Sequence, residues 1–245
     1  MRKAIIFSLL ITTNALLSFS DFVTPIIITE NWAPYNYLEN DRIIGLSTQI
    51  VLEILSRIEE RIDIELLPSI TAKNILDNHA QTIFFSMFRT KERENQYKWV
   101  GPIADGSIYF YKNKSDKRRI TTIDDLKKLE RIACRHAGLI PSLLLDLGFT
   151  NLDMTASDSD QIYTKLALKR CDAAISDTDL GVKHYLRTMN LDQETFERIP
   201  IAIFQSSLYI VFTRDFTDEY IGVWQSTLDK MKEDGTYSRI LKQYN

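Results

Sequence analysis

TIFFSMFRTKEREN, residues 82–95, joins two kinds of sequence at one point. Its first seven residues are nearly all apolar, and the next seven are nearly all charged or polar. A short unbroken apolar run is the pattern of a strand covered on both faces, as strands are in a parallel sheet. Such sheets take their ligands beyond the carboxyl ends of the strands. The polar residues from Arg89 onward therefore fall where a ligand would lie, and a plain surface turn is the other reading. KWVGPI (98–103) follows as a further extended segment, in which Pro102 limits pairing.

The same alternation extends in both directions. Upstream, PIIIT (25–29) reads as a strand and ENWAPYNYLENDRIIG (30–45) as a loop. Leu46, Ile50, Val51, Ile54, Leu55 and Ile58 then recur at helical spacing. IDIELL (62–67) is a strand, and a short helix spans 72–77. Downstream come SIYFYKN as an extended segment and TIDDLKKL as a helix, with Thr122 as N-cap and Asp124 and Asp125 in its first turn. RIAC is a strand and LIPSLLLDLG a helix stopped at Gly148. Helices at 157–169 and 178–189 flank the strand DAAIS. After the strand LYIVFTRD, residues 216–231 form an amphipathic helix carrying Tyr220, Trp224, Leu228 and Met231, and a short helix follows Gly235. Strands alternating with helices define an α/β protein with mainly parallel sheets. Three polar clusters sit just after apolar runs: ENWAPYNY after PIIIT, RTKER after TIFFSMF, and SDTD after DAAI.

The 245 residues carry a formal charge of −3, a length that suits one large domain or two small lobes. Acids and bases are mixed along the chain, without the Lys and Arg clustering of a nucleic-acid binder. The first twenty residues stand apart. MRK is followed by an apolar stretch and by Ser18-Phe19-Ser20 before Asp21, the layout of a secretory signal peptide, with an N-terminal anchor helix as the alternative. No Cys lies near the cut, which argues against a lipoprotein. Removing Arg2 and Lys3 from 30 bases set against 33 acids moves the formal charge from −3 to −5. The expectation is an exported, periplasmic protein. Export permits a disulfide between Cys134 and Cys171, and buried free thiols are the alternative. C-x-x-C is absent, and His79, His136 and His184 lack metal-ligand spacing, so no metal or cofactor is expected.

At the polar clusters the chain resembles the family-3 periplasmic solute-binding proteins, the amino-acid-type receptors of ABC importers. ENWAPYNYLENDRIIGLSTQIVLEIL resembles the family's aromatic-Pro-aromatic opening and first helix. RTKEREN before KWVGPI resembles its Thr-x-x-Arg segment and the aromatic-x-x-Pro beyond it. KRCDAAISD resembles its Gly-Arg-x-Asp-Ala segment ending in Asp, and EDGTYSRILKQY its C-terminal signature. The four occur in order over nearly all of the chain after the leader. The resemblance implies the two-lobed type 2 periplasmic-binding fold, each lobe a mainly parallel sheet flanked by helices, with two hinge crossovers. It places lobe 1 at 21–110 plus 206–245 and lobe 2 at 111–205. It further implies a monomer that closes on a small-molecule ligand and is met by a permease in the inner membrane.

The resemblance also assigns roles. Arg93 would anchor a carboxylate through its planar fork, helped by Ser86. Asp177 would hold an ammonium from the other lobe, or else serve as N-cap of the helix that follows it. Of Trp32 and Tyr35, one is expected to face the cleft and the other to be core. Glu30 ends the first strand and offers a second acid. Phe88 stands where relatives often have Ser or Thr, and the loop Arg135-His136-Ala137-Gly138-Leu139 lacks their hydroxyl. Backbone N–H groups at Gly138 and Leu139 remain available there. Arg89 and Arg135, if they face inward, favour an acidic or larger anionic ligand, so the ligand class stays open. Two other functions remain: a dehydratase-like enzyme on the same scaffold, and a ligand-sensing partner of a membrane receptor.

Overall fold

The computed structural model describes residues 24–136 and 138–244. The expected leader, 1–20, lies outside the described residues. Two five-stranded sheets account for most of the strands. The first takes β1 (Ile26–Glu30), β4 (Ile64–Leu67), β5 (Thr82–Phe88), β6 (Lys98–Asp105) and β12 (Ser207–Phe212), in the order β4-β1-β5-β12-β6. The second takes β7 (Ile108–Asn113), β8 (Ile132–Arg135), β9 (Leu152–Ala156), β10 (Ala173–Ala174) and β11 (Phe196–Phe204), in the order β11-β7-β10-β8-β9. In each sheet one strand runs against the other four: β12 in the first and β7 in the second. Each of these reversed strands begins just after the chain has crossed from the other lobe.

TIFFSMF is β5, in the middle of the first sheet and buried along almost its whole length, as its unbroken apolar run requires. Successive side chains on it alternate between faces. Phe85 joins Ile27, Trp224, Leu228 and Met231 under α1 (Leu46–Arg57), α7 (Asp218–Glu233) and α8 (Thr236–Lys242). Phe84 joins Ile28, Ala72 and Leu76 under α2 (Ser69–Asn78). The second sheet is covered in the same way by α3 (Ile123–Lys127) and α4 (Leu139–Asp146) on one face, and by α5 (Ser159–Ala167) and α6 (Asp179–Thr188) on the other. Thr122 caps α3 in a full capping box with Asp125.

Cys134 packs with Phe110 and Leu144 on one face of the second sheet, and Cys171 with Tyr163 and Leu166 on the other. The sheet lies between them, and both are free. Burial pushes each thiol up to about 11.

The stretch read as a loop at 30–45 holds a small hairpin, β2 (Tyr37–Glu39) and β3 (Arg42–Ile44). Asn40 and Asp41 both take positive φ in its two-residue turn, which suits the right-handed twist of the strands. Gly45 ends the hairpin at φ 129, and a Cβ there would meet the Tyr35 carbonyl oxygen at 2.3 Å. This close approach lets the first turn of α1 clasp the aromatic loop. Leu46 N–H donates to Pro34 O at 2.9 Å, and Ser47 N–H to Tyr35 O at 2.9 Å. Two more strands escape the sequence reading. β9 (LDMTA) is too polar to stand out, and β11 (FERIPIAIF) is masked by its charges and Pro200.

The chain crosses between the sheets at Gly106-Ser107 and at Gln205-Ser206. The two crossovers touch, with Gly106 N–H donating to Ser206 O at 2.9 Å. The boundary expected at 110 falls inside β7, because Ile108 already pairs with Phe204 in the second sheet. Pro102 marks a register break as read: Leu208 faces Ala104, but Ile210 faces Val100. A Cβ on Gly106 would meet Phe88 Cε1 at 2.4 Å and Ser206 O at 3.0 Å. Gly106→Ala should therefore cost about 1–3 kcal/mol of stability as overpacking, read as a lower urea midpoint at unchanged slope.

Candidate functional site

Two of the three polar clusters, ENWAPYNY and SDTD, meet where the two lobes face each other. Asp177 follows β10, is 0% exposed, and is the most deeply placed acid of the interface. It is not the N-cap of α6. That role falls to Thr178, whose Oγ1 accepts from Gly181 N–H at 3.2 Å, so the Asp177 carboxylate is left for other partners. Oδ1 accepts from Trp32 Nε1 of the opposite lobe at 2.5 Å. Oδ2 is buried with no hydrogen-bond partner among the described residues. From below, Tyr163 Oη accepts the Asp177 backbone N–H at 3.2 Å. Burial pushes the Tyr163 phenol well up, and the Asp177 charge adds to the shift.

Trp32 and Tyr35 both reach across, where one was expected to be core. Tyr35 Oη shares a 2.7 Å hydrogen bond with Thr178 Oγ1 and donates to the Asp105 carbonyl at 3.1 Å, tying the aromatic loop to lobe 2 and to the first crossover. Its phenol is also pushed up, by burial first and then by Asp177 against the lowering effect of Thr178. The rings form a row: Tyr35 against Trp32 at 4.8 Å, Trp32 against Phe88 at 5.5 Å, and Phe88 against Phe204 at 4.8 Å. Phe88 packs on the cores of both lobes.

The remaining candidates divide. Ser86 sits at φ 68 in a β-bulge, where β12 passes from Tyr209 opposite Met87 to Ile210 opposite Phe85. Its hydroxyl donates to Asn36 Oδ1, and Asn36 Nδ2 donates in turn to the Glu30 carbonyl. The Glu30 carboxylate accepts from Ser69 Oγ at the start of α2. Arg93 is half-buried, with Nη1 donating to the Phe88 carbonyl at 3.3 Å, and its charge helps hold Asp77 low. Arg89 does not turn inward. It pairs with Glu94 and lies over the Trp99 and Tyr209 rings at 5.4 and 5.3 Å. Strand alternation explains this correction: Phe88 faces the lobe junction, so its successor points to the other face. Gly138 is an exposed N-cap of α4 at φ 114.

Beside this row lies a cavity of about 210 Å³, walled by Asn31, Ala33, Tyr37 and Leu38 of lobe 1 and by Arg135, Asp158, Ser159, Asp160, His184, Tyr185 and Thr188 of lobe 2. Arg135 Nε donates to Ser176 Oγ and Nη2 to Ser159 Oγ, both at 3.3 Å. The Tyr37 and His184 rings meet across the lobes at 5.2 Å. Asn36, Thr178, Tyr163, Ser159, Ser176 and His184 were not singled out as site residues. They are ordinary polar residues with no motif, brought in by the fold alone.

Two α/β lobes joined by paired crossovers, with an acid desolvated at their junction, define a hinged protein of the type 2 periplasmic-binding fold. The chain belongs to the bacterial extracellular solute-binding proteins, family 3, whose sequence profile matches residues 25–245. No curated protein sequence matches it. Among solved structures it is similar to a histidine kinase sensor domain with similarity to periplasmic binding proteins, at 13% identity over 90% of this chain and 95% of that one, with a TM-score of 0.77. It is also similar to the GluR0 ligand-binding core from Nostoc punctiforme in complex with L-glutamate, at 16% identity over 90% and 99%, with a TM-score of 0.76. A third is the substrate-binding protein of an amino acid ABC transporter, at 16% identity over 90% and 99%, with a TM-score of 0.72. At these identities the likeness establishes the fold. The family is one of binding proteins rather than enzymes, and among the described residues no helix is long and apolar enough to cross a membrane.

Two expectations follow. Trp32→Phe keeps the ring and deletes the donor to Asp177, so it should destabilise the closed arrangement by about 1–3 kcal/mol. Small-angle scattering of the ligand-free variant should show a larger radius of gyration than wild type, and an unchanged one would refute the idea that this hydrogen bond holds the lobes together. His184 is held below its ordinary 6.5 by burial, helped by Arg187 and opposed by Asp160, Asp177 and Glu39. Its proton binds more readily to the unfolded chain, so its contribution is intact above 6.5 and is lost as pH falls through the lowered value. His184→Gln should flatten the part of the stability loss seen in urea unfolding between about pH 7 and 5.

Proposed function

We propose that this protein is the solute receptor of an importer. It captures a small amino-acid-like solute between its lobes and presents the closed form to an inner-membrane permease, acting as a monomer and without catalysis. One observation carries the reading. A fully buried carboxylate, Asp177, is bonded on one oxygen by the opposite lobe and has no partner on the other among the described residues. A buried charge left half-paired is costly, and a ligand ammonium there relieves the cost in the closed state. The same group then rewards closure, because it is lined by both lobes. The family and the amino acid ABC transporter relative support transport. The sensor-domain relative supports a second reading, in which the same closure is reported to a membrane receptor.

The mature protein, titrated with a panel of amino acids, should gain about 2.7 kcal/mol of stability from a true ligand at 100 times its Kd. Asp177→Asn should lose that gain while melting cooperatively. A wild-type protein that none of the panel stabilises would refute capture of this class.

A further inference from the structure

We infer that Arg135 of lobe 2, and not Arg93 of lobe 1, anchors the carboxylate of the captured solute. This rests on the capture reading above and names its second contact. Arg93 does not line the cavity; its Nη1 donates to the Phe88 carbonyl at 3.3 Å, and its charge reaches Asp77 of α2. Phe88 fills the lobe junction beside Trp32 and Phe204. Ser86, which would have shared the carboxylate, donates its hydroxyl to Asn36. The lobe 1 candidates Arg93, Ser86 and Phe88 thus lie outside the lining of the cavity between the lobes.

Arg135 has the opposite character. It ends β8 and lines the cavity between the lobes. Ser176 and Ser159 hold its Nε and Nη2 and so fix the plane of the guanidinium. Nη1 has no partner and the residue forms no ion pair among the described residues, so the Nη1–Nη2 edge remains for a bidentate carboxylate. The strand register supplies the spacing. Ala173 and Ala174 pair with Ile132 and Ala133, which carries Ser176 to the side of Arg135 and puts Asp177 one residue further on. A carboxylate on Arg135 is then held at the lobe 2 wall of the cavity, with Ala33 and Tyr37 of lobe 1 on the opposite wall, while Asp177, the residue after Ser176, is buried and not part of the cavity lining. Asp158 and Asp160 share the cavity wall. The Asp158 oxygens are taken by Ser157 and Gln161, whereas Asp160 has no ion pair among the described residues and repels a second ligand carboxylate. The solute class is an amino acid with one carboxylate and a neutral or cationic side chain.

Isothermal titration tests this with the twenty amino acids and their decarboxylated amines, on wild type, Arg135→Ala, Arg135→Lys and Arg93→Ala. For the tightest-binding amino acid, Arg135→Ala should raise Kd at least about 30-fold, with partial recovery in Arg135→Lys and a change within about threefold in Arg93→Ala. The matching amine should bind wild type and Arg135→Ala alike, which a merely misfolded variant would not do. Equal affinity of Arg135→Ala and wild type for the amino acid overturns the assignment and leaves capture standing. So does loss of binding in Arg93→Ala, or an amine that binds as tightly as its parent. If no amino acid binds wild type, capture itself falls and takes the assignment with it.

Discussion

A carboxylate removed from water is the constraint around which this molecule is arranged. Asp177 has lost its hydration and gained one side-chain donor, the Trp32 indole of the other lobe. The interior penalty for such a group exceeds what one neutral hydrogen bond returns. Everything around it limits that deficit. Thr178 takes over the helix cap, Tyr163 accepts the backbone N–H, and Tyr35 fixes the loop that carries Trp32. Burial raises the phenols of Tyr35, Tyr163 and Tyr185, and the charge of the acid pushes each in the same direction, against a larger lowering from Thr178 at Tyr35. They stay protonated hydroxyls, able to donate or accept, and add no second negative charge.

The architecture was legible because strand and helix periods differ and the chain keeps them separate. β5 was readable from its unbroken apolar run, α1 from its repeating Leu and Ile, and α3 from its cap. Asp177 could be placed because it follows an apolar strand at a position the family resemblance marks. What the sequence did not reveal depends on side-chain direction and on distant partners. Whether Arg89 points in or out turns on the pleat of β5 and on a bulge at Ser86 that no local pattern announces. Asn36 gathers Ser86 and Glu30 from separate strands, a meeting that exists only once the sheet is assembled. β9 and β11 were hidden by polar residues that face solvent at the sheet edges.

The two halves of the interface differ in kind. The row of rings from Tyr35 to Phe204 packs ring against ring and runs into both cores, so the junction buries apolar surface beside the single hydrogen bond it gives Asp177. The cavity beside it is polar and lined by residues whose charges are only partly paired. The junction is thus apolar and packed on one side, and polar with incompletely paired charges on the other.

The sheet orders carry a consequence for how the chain assembles. All strands of the second sheet come from one continuous stretch, 108–204, and its ends lie against each other at the crossovers. The first sheet is completed by β12, which inserts between β5 and β6 more than a hundred residues after they are made. As the chain emerges from its N-terminus, the later-encoded lobe is the first able to finish its sheet. The earlier one cannot complete its order until residues 207–212 are available to pair with both β5 and β6. That interval is when the protein most needs protection from aggregation.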